Sequence, residues 1–233
     1  MAPIKIPLII PARKGSQRIP RKNIKLFLGR PIIEICIERA EKFGLFSEII
    51  VSTDCEKTAQ IASAAGAQVI VRPEQLSNDS TGTNAVAAHA GMEKKWAEDQ
   101  LVGLCYPTSV FLQKSWAVEC IKRLIKNNNA YFSCTVKQLI APVHRSFQIN
   151  AESICVPLAA SKASSSTQPQ ERVYIDAAQF YVGTFRTFNQ FESVFTSPAT
   201  AAVIIDPSDS TDIDTMADWD YAEYLYEKKY RQI

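Results

Sequence analysis

The chain has 233 residues, 46% hydrophobic and 21% charged, which is enough apolar material for one α/β domain and an added lobe. No apolar run approaches the ~20 residues of a membrane-spanning helix, and six scattered cysteines without CxxC spacing argue against a zinc site and against a disulfide framework. The formal net charge of +2 hides an asymmetry, because residues 1–33 hold eight Lys/Arg and no acid, leaving 18 cations against 24 acids elsewhere. That split marks a local anion site and not a nucleic-acid surface, and the expected setting is cytoplasmic, with reduced core thiols.

In chain order, "IKIPLII" (4–10) is continuously apolar and predicts a strand buried on both faces, not a secretory leader. "PIIEICIERAEKF" (31–43) predicts a helix: Ile33, Ile37 and Ala40 fall at helical spacing, with Pro31 at its start and Gly44 as a stop. "SEIIVSTD" (47–54) is the next strand, "EKTAQIASAA" a helix closed by Gly66, and "AQVIVR" (67–72) a strand. "NAVAAHAGMEKKW" (84–96) is a helix, in which His89 reads as a structural residue, and "LVGLCYPTS" (101–109) is a strand entering a polar turn. "SWAVECIKRLIKNN" (115–128) is a helix and "AYFSCTVK" (130–137) a strand. Such alternation implies the α/β class: a doubly wound, mostly parallel sheet with helices on both faces. The rhythm then breaks. Residues 138–175, which include His144 and the polar run "ASKASSSTQPQ", read as an inserted arm that either lids the site or packs on another subunit. "RVYIDAAQFYVG" (172–183) and "AAVIID" (201–206) supply the last strands and "MADWDYAEYLYEKKY" (216–230) a closing helix, all within a single domain over 1–233.

Residues 11–23, "PARKGSQRIPRKN", join the first strand to the first helix, where doubly wound sheets bind phosphate-bearing ligands. Arg13, Lys14, Arg18, Arg21 and Lys22 supply five cations, Gly15 lets the backbone approach a ligand and Ser16 offers a hydroxyl; a triphosphate suits this density of charge. Neither GxGxxG nor GxxxxGK[ST] occurs, which excludes the dinucleotide fingerprint and the P-loop. The opposite pole is "DPSDSTDIDTMADWD" (206–220), with six Asp and no cation. Thr215 and Asp218 fit a capping box at the closing helix. Asp212 and Asp214, at i and i+2 of extended backbone, point to one side and suit a Mg²⁺ shared with phosphate oxygens. Together the two poles indicate nucleoside triphosphate chemistry. Two other readings compete: a DxD glycosyltransferase built on Asp212 and Asp214, and a module that binds a polyanion through the loop.

"IIPARKGSQRIPRKNI" (9–24) resembles the signature IIPARxGSKxIPxKN of the cytidylyltransferases that activate nine-carbon acidic sugars. "STD" (52–54), "RPEQLSNDSTGT" (72–83) and "DIDTMADWDYAE" (212–223) are similar to that family's later motifs, in the same order. "YIDAAQFYVG" (174–183) and Tyr106 in "CYPTS" resemble the branch that activates pseudaminic acid, whose pattern is YHDAGQFYWG, more than the sialic acid branch, with sialic and legionaminic acids as the alternative substrates. The resemblance implies a homodimer that transfers CMP from CTP to a nonulosonic acid, with Mg²⁺. It places Ala12, Arg13, Gly15, Ser16, Lys22 and Asn23 around CTP, Arg72, Thr81 and Thr83 on its cytidine side, and the metal on Asp212 and Asp214. Tyr106, Gln179 and Tyr181 would face the sugar, Arg13 and Lys22 would stabilise charge on the phosphates, and residues 142–160 would form the dimer arm. Gln17 departs from a Lys common in the motif, and Ser166 and Ile175 from the Arg and His of the pseudaminate pattern.

Overall fold

Strands that are apolar at every position need cover on both faces, and this chain provides it. The computed structural model describes residues 5–78, 81–139, 146–157 and 172–230. β1 (Ile6–Pro11), β4 (Phe46–Thr53), β5 (Gln68–Val71), β6 (Leu101–Leu104), β7 (Phe132–Gln138), β10 (Tyr174–Thr184) and β11 (Thr200–Ile205) form one sheet in the order β11-β7-β10-β6-β1-β4-β5. All neighbours pair parallel except β10, which runs antiparallel to both β6 and β7. Two small hairpins complete the strands: β2 (Leu26–Phe27) with β3 (Arg30–Pro31), and β8 (Phe147–Ile149) with β9 (Cys155–Pro157).

Alternation along β1 divides the core. Leu8 and Ile10 pack with α1 (Ile32–Lys42), α2 (Glu56–Ala64) and α4 (Lys114–Lys126), whereas Ile9 packs with α3 (Thr83–Glu93) and α5 (Phe185–Gln190). A third cluster joins Ile19 of the basic loop, Phe27, Phe111 and Ile213 to Trp219 of α6 (Met216–Tyr230). It pins the loop to the acidic segment although 194 positions separate Ile19 from Ile213.

The expected elements are present, with shifted ends. α3 stops at Glu93, three residues early, because Lys95 takes the left-handed conformation (φ 54°) that Gly44 (φ 59°) and Gly66 (φ 92°) take after α1 and α2. The 138–175 segment loses its ends to the sheet: Gln138 pairs with Tyr174 and Lys137 with Ile175, so the excursion joins two adjacent antiparallel strands. His144 and Ser166 lie outside the described residues. Cys36, Cys105, Cys120 and Cys134 are buried, and burial pushes the thiols of Cys120 and Cys134 up to about 12, as inert core residues require. Among the described residues no helix is long and apolar enough to cross a membrane.

Candidate active site

The carboxyl ends of β1, β5 and β6 open onto a cavity of about 530 Å³. Because β10 is reversed, its amino-terminal half reaches the same edge. The basic loop that follows β1 is held by local bonds: the Lys14 N–H donates to Asp54 Oδ1 at 2.6 Å, and the Asn23 amide donates to the Arg13 carbonyl at 2.9 Å. Asp54, the last residue of "STD", therefore anchors the loop. Arg21 is left-handed (φ 53°) and turns the chain into the short helix Lys22–Ile24.

The loop's five cations divide. Arg13, Arg18 and Lys22 line the main cavity with Gly15, Ser16, Gln17 and Asn23. Lys14 and Arg21 instead line a neighbouring cleft of about 400 Å³ with Asp54, Cys55 and Lys57. The five cations thus face two adjoining clefts that share Arg13 and Asn23, because a tight loop cannot aim consecutive side chains one way. A Cβ on Gly15 would meet no protein atom, so the backbone there is open to a ligand. Ala12 does not line the cavity; it is fully buried, and its N–H donates to the Ser52 carbonyl at 2.9 Å.

Arg72 reaches the cavity from the end of β5 while only 5% exposed. It donates to the Ser52 carbonyl at 2.8 Å; burial lowers its pKa, and the Asp54 charge opposes that shift. Thr81 and Thr83 also line the cavity, and Gly82 between them allows a close backbone approach, since a Cβ would lie 2.8 Å from the Glu192 carbonyl.

Asp212 and Asp214 line the same cavity, while the intervening Ile213 is fully buried, as the i, i+2 spacing requires. Lys22 spans the two poles: its Nζ donates to the Ile213 carbonyl at 2.7 Å and lies 3.4 Å from Asp214 Oδ1. Arg18 pairs with the same oxygen at 2.9 Å. Desolvation by surrounding protein and then the Asp214 charge raise the Asp212 carboxyl. Its side chain nevertheless keeps an open face to the cavity, which limits the effect. Two hard oxygen donors on one side of a cavity rich in cations fit a Mg²⁺ site. Among the described residues no three His, Cys, Asp or Glu side chains gather as a metal cluster, so the remaining ligands would be phosphate oxygens and water.

Of the residues expected to face the sugar, Tyr106 lines the cavity. Gln179 and Tyr181 do not: they are 1% and 2% exposed, and the Gln179 amide donates to the Ala177 carbonyl at 3.2 Å. The pairing of β10 is irregular between Asp176 and Tyr181, with Ala178 at φ 52°, so strand alternation fails there. Asp176 and Ala178 face the cavity instead. The turn after β6 fixes this bulge: the Tyr106 N–H donates to Ser109 Oγ at 3.0 Å, which donates to the Ala178 carbonyl at 2.9 Å. The Tyr106 and Tyr181 rings meet edge to face at 5.6 Å, and burial pushes both phenols above their usual value. Among the departures from the motifs, Gln17 lines the cavity and Ile175 does not.

The family profile described as "Cytidylyltransferase" matches residues 8–230. A pseudaminic acid cytidylyltransferase of Campylobacter jejuni is 33% identical over 223 residues, covering 94% of both chains. A CMP-N,N'-diacetyllegionaminic acid synthase of Legionella pneumophila is 27% identical over 96% of this chain and 97% of its own. The solved CMP:2-keto-3-deoxy-manno-octonic acid synthetase complexed with CTP aligns with a TM-score of 0.71 over 97% of this chain and 99% of its own; at 15% identity it shows the fold. The chain belongs to the cytidylyltransferase family.

Proposed function

We propose that this protein activates a nonulosonic acid, pseudaminic acid in preference to sialic or legionaminic acid, by transferring CMP from CTP with release of pyrophosphate. The carrying observation is the cavity shared by Arg13, Arg18 and Lys22 from one end of the chain and Asp212 and Asp214 from the other. The 33% identical pseudaminic acid cytidylyltransferase supports the choice of sugar. In the reaction, the anomeric hydroxyl oxygen of the sugar attacks the α-phosphorus and the bond to the β-phosphate breaks.

Arg13 and Lys22 bind the phosphates and oppose charge that grows on them, in a geometry already set by the loop's hydrogen bonds, while Arg72, held on the Ser52 carbonyl, lines the cytidine side. Asp212 and Asp214 hold Mg²⁺, which when bound neutralises phosphate charge. For the phosphates to enter, Arg18 exchanges Asp214 for a phosphate oxygen. This exchange is cheap, because the Arg18 side chain is 66% exposed.

A homodimer fits the exposed hairpin of β8 and β9, on which Phe147 and Ile149 share one face and are both open to solvent, an apolar surface suited to a second subunit. A cytoplasmic location supplies the nucleotide. The DxD glycosyltransferase reading has less support, because the acidic pair here faces a loop built for a free triphosphate. Pyrophosphate release with CTP and a panel of pseudaminic, legionaminic and sialic acids tests the proposal. Turnover is expected to be fastest with pseudaminic acid, abolished by chelation and restored by Mg²⁺; no release with any of the three overturns it.

A further inference from the structure

The residues lining the cavity segregate by strand. The cations Arg13, Arg18, Lys22 and Arg72 follow β1 and β5, whereas Tyr106, Asp176 and Ala178 come from the β6 and β10 side. CTP belongs over the first group, which leaves the second for the acidic sugar. Asp176 is the carboxylate in that half, and two bonds fix its position: Oδ1 accepts the Ala178 N–H at 3.0 Å, and Oδ2 accepts the Tyr181 hydroxyl. Each carboxylate oxygen carries two acceptor positions, so one on each is left for a ligand. An acidic sugar cannot set its own carboxylate against Asp176. The charge of Asp212, which interacts with that of Asp176, strengthens the exclusion.

We propose that Asp176 determines specificity: it accepts a hydrogen bond from a donor of the sugar remote from its carboxylate, an acylamino N–H or a hydroxyl, and thereby turns the sugar's carboxylate towards the cations. This role rests on the reading of the protein as a nonulosonate cytidylyltransferase. A site built to accept a hydrogen bond discriminates strongly against ligands that cannot donate one. Tyr181 is a positioning residue behind Asp176.

Steady-state kinetics of the full chain, with CTP and sugar varied separately, tests the role. Asp176→Asn keeps an acceptor for the Ala178 N–H but can turn an amide N–H₂ towards the sugar. It is expected to raise KM for the sugar at least tenfold and to leave KM for CTP within twofold. Tyr181→Phe removes support without removing the acceptor and is expected to change the sugar KM less than threefold. A loss confined to acylated sugars identifies the N–H as the donor; an equal loss with an analogue bearing hydroxyls at those carbons identifies the O–H. An Asn variant with an unchanged sugar KM, or with equal rises in both KM values, overturns the role. Independently of any variant, a sugar analogue O- and N-methylated at these positions should bind the wild type at least tenfold more weakly, and equal binding overturns it too. A wild type that releases no pyrophosphate with any nonulosonic acid overturns the reaction itself, whereas an active wild type with an unaffected Asn variant overturns only the part given to Asp176.

Discussion

Ala178 sits at φ 52°, a conformation that glycine adopts freely and alanine does not, at the point where β10 leaves its regular pairing. Its N–H is held by Asp176 and its carbonyl by Ser109, so the surroundings compensate the strain and keep a carboxylate facing the cavity. Ala178→Val adds a β-branched side chain to that backbone and is expected to destabilise the protein by about 2 kcal/mol, read from urea unfolding. An unchanged midpoint would mean that the bulge is not strained.

At Asp218, desolvation acts to raise the carboxyl. The Thr215 hydroxyl and the N–H groups of Thr215 and Asp214 outweigh it, and the group lies below its ordinary value. A depressed carboxyl stabilises the fold above its unfolded pKa of about 4 and loses that contribution as pH falls through the lower folded value. Asp218→Asn is therefore expected to cost about 1 kcal/mol at pH 7, and to flatten the loss of stability below about pH 4, in unfolding titrations across pH.

Among the elements, α3 and α5 meet where Gly91 leaves room for the Phe185 ring; a Cβ at that position would overlap it. Gly91→Ala is expected to cost about 1–3 kcal/mol by overpacking, a drop of a few degrees in Tm measured by calorimetry. A stable variant would show that this helix pair adjusts freely. The same pair shows what pattern cannot convey. α5 has only six residues, of which Thr187 and Phe188 are buried, too few to set up a helical period. The regular strands and long helices were legible because their apolar runs match full cover on both sheet faces. The reversed direction of β10 was not, because a strand buried on both faces reads alike in either orientation.

At the scale of the whole molecule, the site joins two ends of the chain that their charge alone had marked. The basic loop and the carboxylate pair were legible from composition and spacing, and the burial of Ile19 and Ile213 in one cluster is the physical cause of their meeting. What spacing could not show was which side chains point inward. Lys14, Arg21, Gln179 and Tyr181 belong to motifs yet line no part of the main cavity, whereas Asp176 and Ala178 reach it beside an irregularity in β10 that composition does not mark. The most direct measurement is the rate of pyrophosphate release from CTP with a nonulosonic acid and Mg²⁺, for wild type, Lys22→Ala and Asp214→Asn, each checked for an unchanged fold. Both variants are expected to lose about 10²–10³ in kcat/KM; wild-type kcat/KM in either folded variant would contradict a single site built from both ends of the chain.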